Sequence, residues 1–196
     1  MKGNIVYPLS KPLADAIIEA KIHDACKREI DILKGLCTTG ATLESLSTDK
    51  RAPFWAYWYA CDVIKSRWLE AEPIIMTSPE WSYRYAHNVI EGRWFEGEEI
   101  IMSNPKFSYW YACDIIKERW LKAEAIIITS PYWAYCYALH IIKGRWPEAE
   151  TTIMTSPEWS YRYACEVIKG RWPEAEAVIK TDSYFFDEYR KNVLKK

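Results

Sequence analysis

Apolar residues recur along most of the chain with the spacing of an α-helix. The clearest example is SPEWSYRYACEVIKGRWPEAEAVIKT, Ser156 to Thr181, where two apolar lines follow one predicted helix. One line is spaced i, i+3, i+7 and the other i, i+4, i+8, so both flanks of the helix are expected to be buried between neighbours. The two lines are Tyr161, Ala164 and Ile168, and Trp159, Tyr163 and Val167.

This stretch is one copy of a repeat. An Arg-Trp pair recurs every 26 residues without an insertion. A fixed period between about 20 and 50 residues is typical of repeat architectures, in which stacking of neighbouring units buries the apolar face that one unit cannot bury alone. The pairs are Arg67-Trp68, Arg93-Trp94, Arg119-Trp120, Arg145-Trp146 and Arg171-Trp172.

Helix boundaries follow the same period. Four units open with a good N-cap residue and a proline at the first helical position, where a missing N–H has no consequence. These pairs are Ser78-Pro79, Asn104-Pro105, Ser130-Pro131 and Ser156-Pro157, whereas the first unit has Ala52-Pro53. The first helix is expected to run about 13 residues and to end near a glycine, namely Gly92, Gly144 or Gly170, with Ser66 and Glu118 in the other two units. A second, shorter helix of about eight or nine residues is predicted to begin at Pro147 and Pro173.

We therefore predict an all-α fold, a right-handed α-solenoid of stacked two-helix repeats with a cap at each end. Residues 1–51 form an N-terminal helical cap or degenerate repeat, 52–181 form five 26-residue helical hairpins, and 182–196 form a C-terminal capping helix. Terminal repeats need a more polar outer surface, which explains why both ends depart from the common pattern.

Recurrent positions separate core residues from residues with other roles. The Trp172 and Ile179 positions are predicted to complete the core, because aromatic residues at helical spacing usually pack inside rather than form a stacking platform for bases or sugars. Arg171 and Glu176 recur in all five units. A row of arginines is also suited to phosphates, but the glutamate recurring in step favours an Arg–Glu ladder that links helices.

One face of the first helix varies between units, and we call it the variable stripe. It comprises the positions equivalent to 158, 162, 165 and 169, spaced i, i+4, i+7 and i+11. Aromatic residues mixed with arginine are typical of interface hot spots, so this stripe is the candidate partner-binding surface. The alternative is that it packs on the short helices or on a second copy of the chain. The candidate residues are Phe54, Trp58, Arg84, His87, Lys106, Trp110, Tyr132, Cys136, Leu139 and Arg162.

Composition and motifs narrow the functional classes. The net charge is −1 with acids and bases mixed along the chain, which is unlike the basic excess of most nucleic-acid binders. No phosphate-binding loop, zinc-ligand spacing or nucleophile motif is present, so no catalytic residue, cofactor or metal site is predicted and an enzyme is the least expected class. Cys136 and His140 are i, i+4 neighbours, and an incidental pair is favoured over a catalytic or metal site.

The expected location is the cytoplasm. No apolar run approaches the length of about 20 residues that spans a bilayer, and the N-terminus lacks the apolar core of a signal peptide. Cys61, Cys113 and Cys165 occupy one repeat position at alternate repeats. Their expected separation of roughly 20 Å is too great for a disulfide, and free thiols fit a reducing compartment.

The string IIKGRWPEAE, Ile141 to Glu150, followed by SPEWSYRYA, Ser156 to Ala164, resembles a short helical repeat of uncharacterised proteins from bacteriophages and large DNA viruses. The resemblance covers Ala52 to Thr181 and implies a small α-solenoid without catalytic residues. A viral origin would make the protein a candidate inhibitor of a host defence or host enzyme, active in the host cytoplasm.

Three functions follow as hypotheses. The first is a non-enzymatic module that binds a protein partner, host-encoded if the protein is viral, through the variable stripe. The second is a nucleic-acid-binding repeat protein that uses Arg84, Arg162 and the lysines at 65, 117, 143 and 169. The third is a self-assembling structural protein, a homo-oligomer joined edge to edge or through the stripe.

Overall fold

A computed structural model describes residues 50–195, and throughout this range the chain forms helices and turns without a strand. The chain divides into two compact units between Ile90 and Glu91, and each is described by itself. The predicted N-terminal cap, residues 1–51, lies outside the described residues apart from Lys50 and Arg51.

In the described part of unit 1, residues 50–90, a short helix lies between two long helices. Each long helix begins as an α-helix and continues as a π-helical segment, and the short helix begins with a 3₁₀ turn. Helix α1 contacts both α2 and α3, and α2 also contacts α3. The elements are α1 (Ala52–Trp58, then π-helical Tyr59–Ile64), α2 (Glu72–Ile75, after 3₁₀ Leu69–Ala71) and α3 (Pro79–Tyr85, then π-helical Ala86–Ile90).

Unit 2 continues the alternation of short and long helices. The short helices are α4 (Glu98–Ile101, after 3₁₀ Phe95–Gly97), α6 (Leu121–Ile127), α8 (Pro147–Ile153) and α10 (Glu176–Ile179, after 3₁₀ Pro173–Ala175). The long helices are α5 (Pro105–Tyr111, then π-helical Ala112–Ile116), α7 (Pro131–Tyr137, then Ala138–Ile142), α9 (Pro157–Tyr163, then Ala164–Ile168) and α11 (Ser183–Tyr189, then Arg190–Leu194).

Consecutive long helices of unit 2 pack side by side, α5 on α7, α7 on α9 and α9 on α11. Each of the short helices α6, α8 and α10 packs against the long helix before it and the one after it. The helices of each unit thus pack consecutively as two-helix repeats, which confirms the predicted all-α repeat fold.

The predicted helix starts are confirmed. Side-chain oxygens at the N-caps accept hydrogen bonds from backbone N–H groups of the first turn, which have no partner within the helix. The accepting N-caps are Ser78, Asn104, Ser130, Ser156 and, at the terminal helix α11, Asp182. Helix α1 begins at Ala52 itself, after Arg51, and has no side-chain cap.

The long helices end near the predicted glycines, two residues before Gly144 and Gly170. The residue in the left-handed conformation is the one before the glycine position, and it is never glycine. The wide π-helical turn places the reversal one residue earlier than a simple glycine cap would, and the amide of Gly144 bonds back to the carbonyl of Ala138 at 3.2 Å. The residues with positive φ, 55–60°, are Lys65, Glu91, Lys117, Lys143 and Lys169.

Separate substitutions of Lys143 and Gly144 test which residue reverses the chain at the helix end. Lys143→Gly should raise the free energy of unfolding by about 1 kcal/mol, because glycine adopts a positive φ without the clash of a Cβ atom. Gly144→Ala should be nearly neutral, since nothing lies within 4 Å of an added Cβ. Urea denaturation of both variants measures the difference. A destabilised Lys143→Gly variant would contradict the left-handed assignment.

The core confirms four of the eight recurrent apolar positions, whereas the Trp159, Val167 and Ile168 positions are mostly half-buried. The Trp172 and Ile179 positions are almost entirely buried in unit 2, as predicted. The Tyr163 and Ala164 positions are also buried, whereas the Tyr161 position is half-buried in three of five repeats. The pattern did not indicate two further buried positions, Ala175 and Ser160. The Ser160 hydroxyl reaches the Ile153 carbonyl at 3.2 Å, so its burial leaves no unpaired hydroxyl.

Candidate functional site

The recurrent arginines form the predicted Arg–Glu ladder. Every arginine of the Arg-Trp pairs lies 2.6–2.8 Å from the glutamate five residues later, at the start of the short helix. At the last pair, the hydrogen bond from Arg171 lowers the pKa of Glu176. The pairs are Arg67–Glu72, Arg93–Glu98, Arg119–Glu124, Arg145–Glu150 and Arg171–Glu176. These arginines are committed to carboxylates of their own repeat, which argues against a row of phosphate contacts.

A tyrosine of the following long helix completes this arrangement, which we call the tyrosine clamp. The hydroxyl of Tyr163 accepts a hydrogen bond from the Trp146 amide at 2.6 Å and donates one to Glu150 at 3.1 Å. The same amide bond, 2.6–2.8 Å long, recurs at five tyrosines, and in four of them the bond to the glutamate recurs as well. The clamp tyrosines are Tyr85, Tyr111, Tyr137, Tyr163 and Tyr189.

Aromatic ring contacts also join neighbouring long helices. The tryptophans at the Trp159 position make these contacts. The Trp159 ring stacks on Tyr135 of the preceding helix with centroids 5.6 Å apart, and Trp133 lies on Tyr109 at 5.3 Å. In unit 1, Trp81 lies on Tyr57 at 5.3 Å. The tryptophans at the Trp159 position thus serve the contact between helices and do not form an exposed stacking platform.

In unit 1 the variable stripe combines rings with an ion-paired arginine. Phe54 is half-buried, with its ring 4.9 Å from that of Trp81, and Trp58 is half-buried. Arg84 lies 3.1 Å from Glu80 and over the Trp81 ring at 5.3 Å. His87 is exposed and hydrogen-bonded to its neighbour Asn88.

In unit 2 the stripe begins with a lysine packed on an aromatic ring. Lys106 Nζ lies 4.6 Å from the centre of the Trp110 ring, and Trp110 meets Trp133 edge-on at 6.2 Å. Tyr132 remains 39% exposed, with its ring 4.7 Å from that of Trp159. Trp110 and Tyr132 thus contact tryptophan rings of the next long helix.

Other stripe positions of unit 2 differ in accessibility. Arg162 is exposed and lies 3.1 Å from Glu158. Leu139 is half-buried. Cys136 is only 5% exposed, and its burial raises the pKa of its thiol to about 11. The side chain of Cys136 therefore offers almost no surface to a partner, because the neighbouring long helices cover it.

The side chains of the variable stripe differ in chemistry from repeat to repeat, whereas the helices that carry them are nearly the same in each repeat. The i, i+4 positions equivalent to 158 and 162 hold a different pair in most repeats: two aromatic rings, an acid with a base, a base with an aromatic ring, or a phenol with a thiol. The pairs are Phe54 and Trp58, Glu80 and Arg84, Lys106 and Trp110, Tyr132 and Cys136, and Glu158 and Arg162. A frame with constant contacts inside and exchangeable pairs outside is typical of repeat proteins that bind partners.

A second set of accessible apolar residues was missed from the sequence. The residue after the tryptophan, at the start of each short helix, is largely exposed: Leu69 at 62%, Phe95 at 67% and Leu121 at 70%. The prolines at this position in the other two repeats hid the recurrence, since proline there signals only a helix start. Single exposed apolar residues are common on protein surfaces, so this set by itself indicates no site.

Within residues 50–195, no three histidine, cysteine or acidic side chains gather closely enough to hold a metal ion. Cys136 and His140 do not act on each other as a pair, because His140 Nδ1 is hydrogen-bonded to the Tyr109 hydroxyl at 2.7 Å. Cys61, Cys113, Cys136 and Cys165 are free thiols. No helix in the described part of the chain is both long and apolar enough to cross a membrane.

Comparison with known proteins gives no relative: no protein-family model, no curated protein and no solved structure matches the chain.

Proposed function

We propose that the chain is a non-enzymatic binding module that holds a protein partner through the variable stripe. The observation that carries this proposal is the contrast between the two faces of the long helix. The inner contacts recur with nearly the same distances in every repeat, whereas the outer pairs change their chemistry from repeat to repeat. The partly exposed positions that vary carry aromatic rings and arginine, which are the residue types of interface hot spots.

The accessible part of the stripe is suited to protein partners. Half-buried rings such as Trp58 and Trp110 lose little conformational entropy on binding, and tryptophan, tyrosine and arginine dominate interface hot spots. The contacting residues in this proposal are Phe54, Trp58, Arg84 and His87 in unit 1, and Lys106, Trp110, Tyr132, Leu139 and Arg162 in unit 2. The four free thiols support a reducing compartment such as the cytoplasm, and a viral inhibitor of a host protein is one form that such a module takes.

A double substitution tests the proposal. Trp58→Ser with Trp110→Ser should abolish capture of proteins from a cell lysate, measured by quantitative mass spectrometry against the unmodified chain. The cost in stability should be modest, about 1–2 kcal/mol, because both tryptophans are only half-buried.

The matched control is Leu69→Ser with Leu121→Ser, which removes two exposed apolar side chains, one from each unit, at the starts of short helices. Proteins retained by the control and lost from the tryptophan variant would be stripe partners. Equal loss in both variants, or collapse of the tryptophan variant in thermal unfolding, would contradict the proposal.

A further inference from the structure

The variable stripe of unit 2 carries charge of one sign. On the long helices α5, α7, α9 and α11 and the residues that end them, the stripe positions hold seven bases and two acids. The remaining positions of residues 91–195 hold fourteen acids and seven bases, so folding separates charges that are mixed along the sequence. The bases are Lys106, Lys117, Lys143, Arg162, Lys169, Lys191 and Lys195, and the acids are Glu158 and Glu188.

Both acids of the stripe are neutralised locally. Glu158 pairs with Arg162 at 3.1 Å, and Glu188 pairs with Lys191 at 2.9 Å. In the adjoining position, Glu166 accepts a hydrogen bond from Tyr135. Of the other acids close by in sequence, Asp114 has an interaction of its own and Glu118 is exposed beside Lys117.

Four exposed lysines remain, which we call the lysine row: Lys117, Lys143, Lys169 and Lys195. Within the described residues, none of them lies within ion-pair distance of a carboxylate. One lysine stands at the end of each long helix, and neighbouring helices pack with their axes about 8–10 Å apart.

The fold itself does not require lysine here. Three of these lysines have φ values of 57–60°, a conformation that glycine or asparagine adopts at lower cost. A lysine at a helix C-terminus interacts favourably with the helix dipole. Helix-end electrostatics are not essential, however, because Glu91 occupies the same position with φ 55° in the second repeat.

We propose that the lysine row binds an acidic, extended segment of the protein partner that runs across the repeats of unit 2. This inference rests on the proposed function and specifies the chemistry of the partner. In an extended chain of the polyproline II conformation, with three residues per turn and a rise of about 3.1 Å per residue, carboxylates on every third residue lie on one face about 9 Å apart and match one lysine per repeat. Leu139 and the half-buried Cys113 and Cys165 lie four residues before lysines of the row, where they would accept the apolar side chains between the carboxylates.

An acidic peptide fits this surface better than a nucleic acid does. The excess of acids over the rest of unit 2 repels a long polyanion, whereas a short segment needs to meet only the row itself. The Trp110 ring, which a base would need as a stacking surface, already has Lys106 on it and Trp133 at its edge.

The test measures fluorescence anisotropy of a labelled peptide built from Glu-Leu-Ser repeats, titrated with the full chain. Comparators are the Lys-Leu-Ser peptide and oligothymidylate of similar length. The glutamate peptide should bind, with an affinity that falls as salt rises. Lys143→Glu with Lys169→Glu should weaken binding by about tenfold or more, since it reverses two of four contacts. The substitution is compatible with the fold because Glu91 already occupies this position.

The control, Lys122→Glu with Lys180→Glu, makes the same change in net charge on short helices and should alter binding by less than about twofold if the contact is local. Equal weakening in both variants, no binding of the glutamate peptide at low salt, or equal binding of the lysine peptide would overturn the inference. Tighter binding of oligothymidylate with the same dependence on Lys143 and Lys169 would assign the row to nucleic acid instead.

Capture of proteins from a cell lysate distinguishes a failure of this inference from a failure of the proposed function. If capture is lost in the Trp58/Trp110 variant but persists in the Lys143/Lys169 variant, protein binding stands and the acidic segment is wrong. If neither variant changes capture, the proposed function itself is wrong.

Discussion

Tyr163→Phe should lower the free energy of unfolding by about 2–4 kcal/mol, although it removes a single oxygen atom. The phenol oxygen is the only hydrogen-bond partner shown for the Trp146 amide, and it also donates to Glu150. Phenylalanine leaves the buried amide without an acceptor and the glutamate with one donor fewer. Each buried polar group that loses its partner costs about 1–3 kcal/mol, and charged groups cost more. Chemical denaturation followed by circular dichroism measures the change.

Tyr161→Phe is the matched control, two residues earlier on the same helix. Its hydroxyl accepts a hydrogen bond from the exposed Asn192 amide at 2.9 Å, and water can replace that bond. We expect a change of at most about 0.5 kcal/mol, as for other surface substitutions. Equal losses in the two variants would show that the clamp has no special energetic role.

The clamp variant should also show how the repeats depend on each other. Tyr163 belongs to α9, whereas Trp146 and Glu150 precede or belong to α8. The lost bonds therefore join one repeat to the next, and the stability of repeat arrays depends on such nearest-neighbour terms. Hydrogen exchange of α9 to α11 in Tyr163→Phe should become faster than that of α5 and α6.

Much of this fold could be predicted from the sequence because the decisive signals are local. The N-cap and proline pairs mark the helix starts at Ser130 and Ser156, and the 26-residue period transfers each prediction to the other repeats. The Arg–Glu ladder was predictable for the same reason, since Arg171 and Glu176 recur in step at a separation that one turn can bridge.

The tyrosine clamp could not be predicted, because its partners are 13 and 17 residues apart in sequence and meet only after two helices have packed. The residue that reverses the chain at each helix end was not predicted, for a different reason. A glycine such as Gly144 is a normal stop signal, but the π-helical turn before it places Lys143 in the left-handed position. Hydrophobic periodicity does not distinguish a π-helical turn from the last turn of an α-helix.

In the candidate site, too, local features could be predicted from the sequence and features that depend on packing could not. The recurrence of the same residue in every repeat correctly predicted that the Trp172 and Ile179 positions are buried. It could not show that Cys136 is covered, because that depends on how the helices pack. The Glu158–Arg162 pair was readable, since the two residues are i, i+4 neighbours and Glu80 and Arg84 form the same pair. The basic residues of the stripe were also visible in the sequence, but the geometry of the ion pairs that engage the arginines outside the stripe was seen only in the structure.

The protein should unfold cooperatively at alkaline pH, within about one to two pH units above pH 10. Burial raises the pKa of the clamp phenols, to about 12 for Tyr85 and Tyr111, and raises it as well at Tyr137, Tyr163 and Tyr189. An unfolded tyrosine ionises near pH 10. Below that pH both states keep the phenol proton, so the clamp is fully present. Above it the unfolded state loses protons that the folded state retains, and stability falls as pH rises towards the folded pKa.

The size of the effect follows from the number of clamps. A tyrosine contributes about 1.4 kcal/mol for every pH unit between its unfolded and its folded pKa. The four clamp phenols with large shifts, Tyr85, Tyr111, Tyr137 and Tyr163, together contribute about 6 kcal/mol per unit. Native domains are stable by only about 5–15 kcal/mol, so one or two units are enough to unfold the protein. Tyrosinate absorbance of the clamp residues should therefore rise together with the loss of helical circular dichroism. Ionisation of all tyrosines while the helical signal persists would show that the phenols are not held in buried hydrogen bonds.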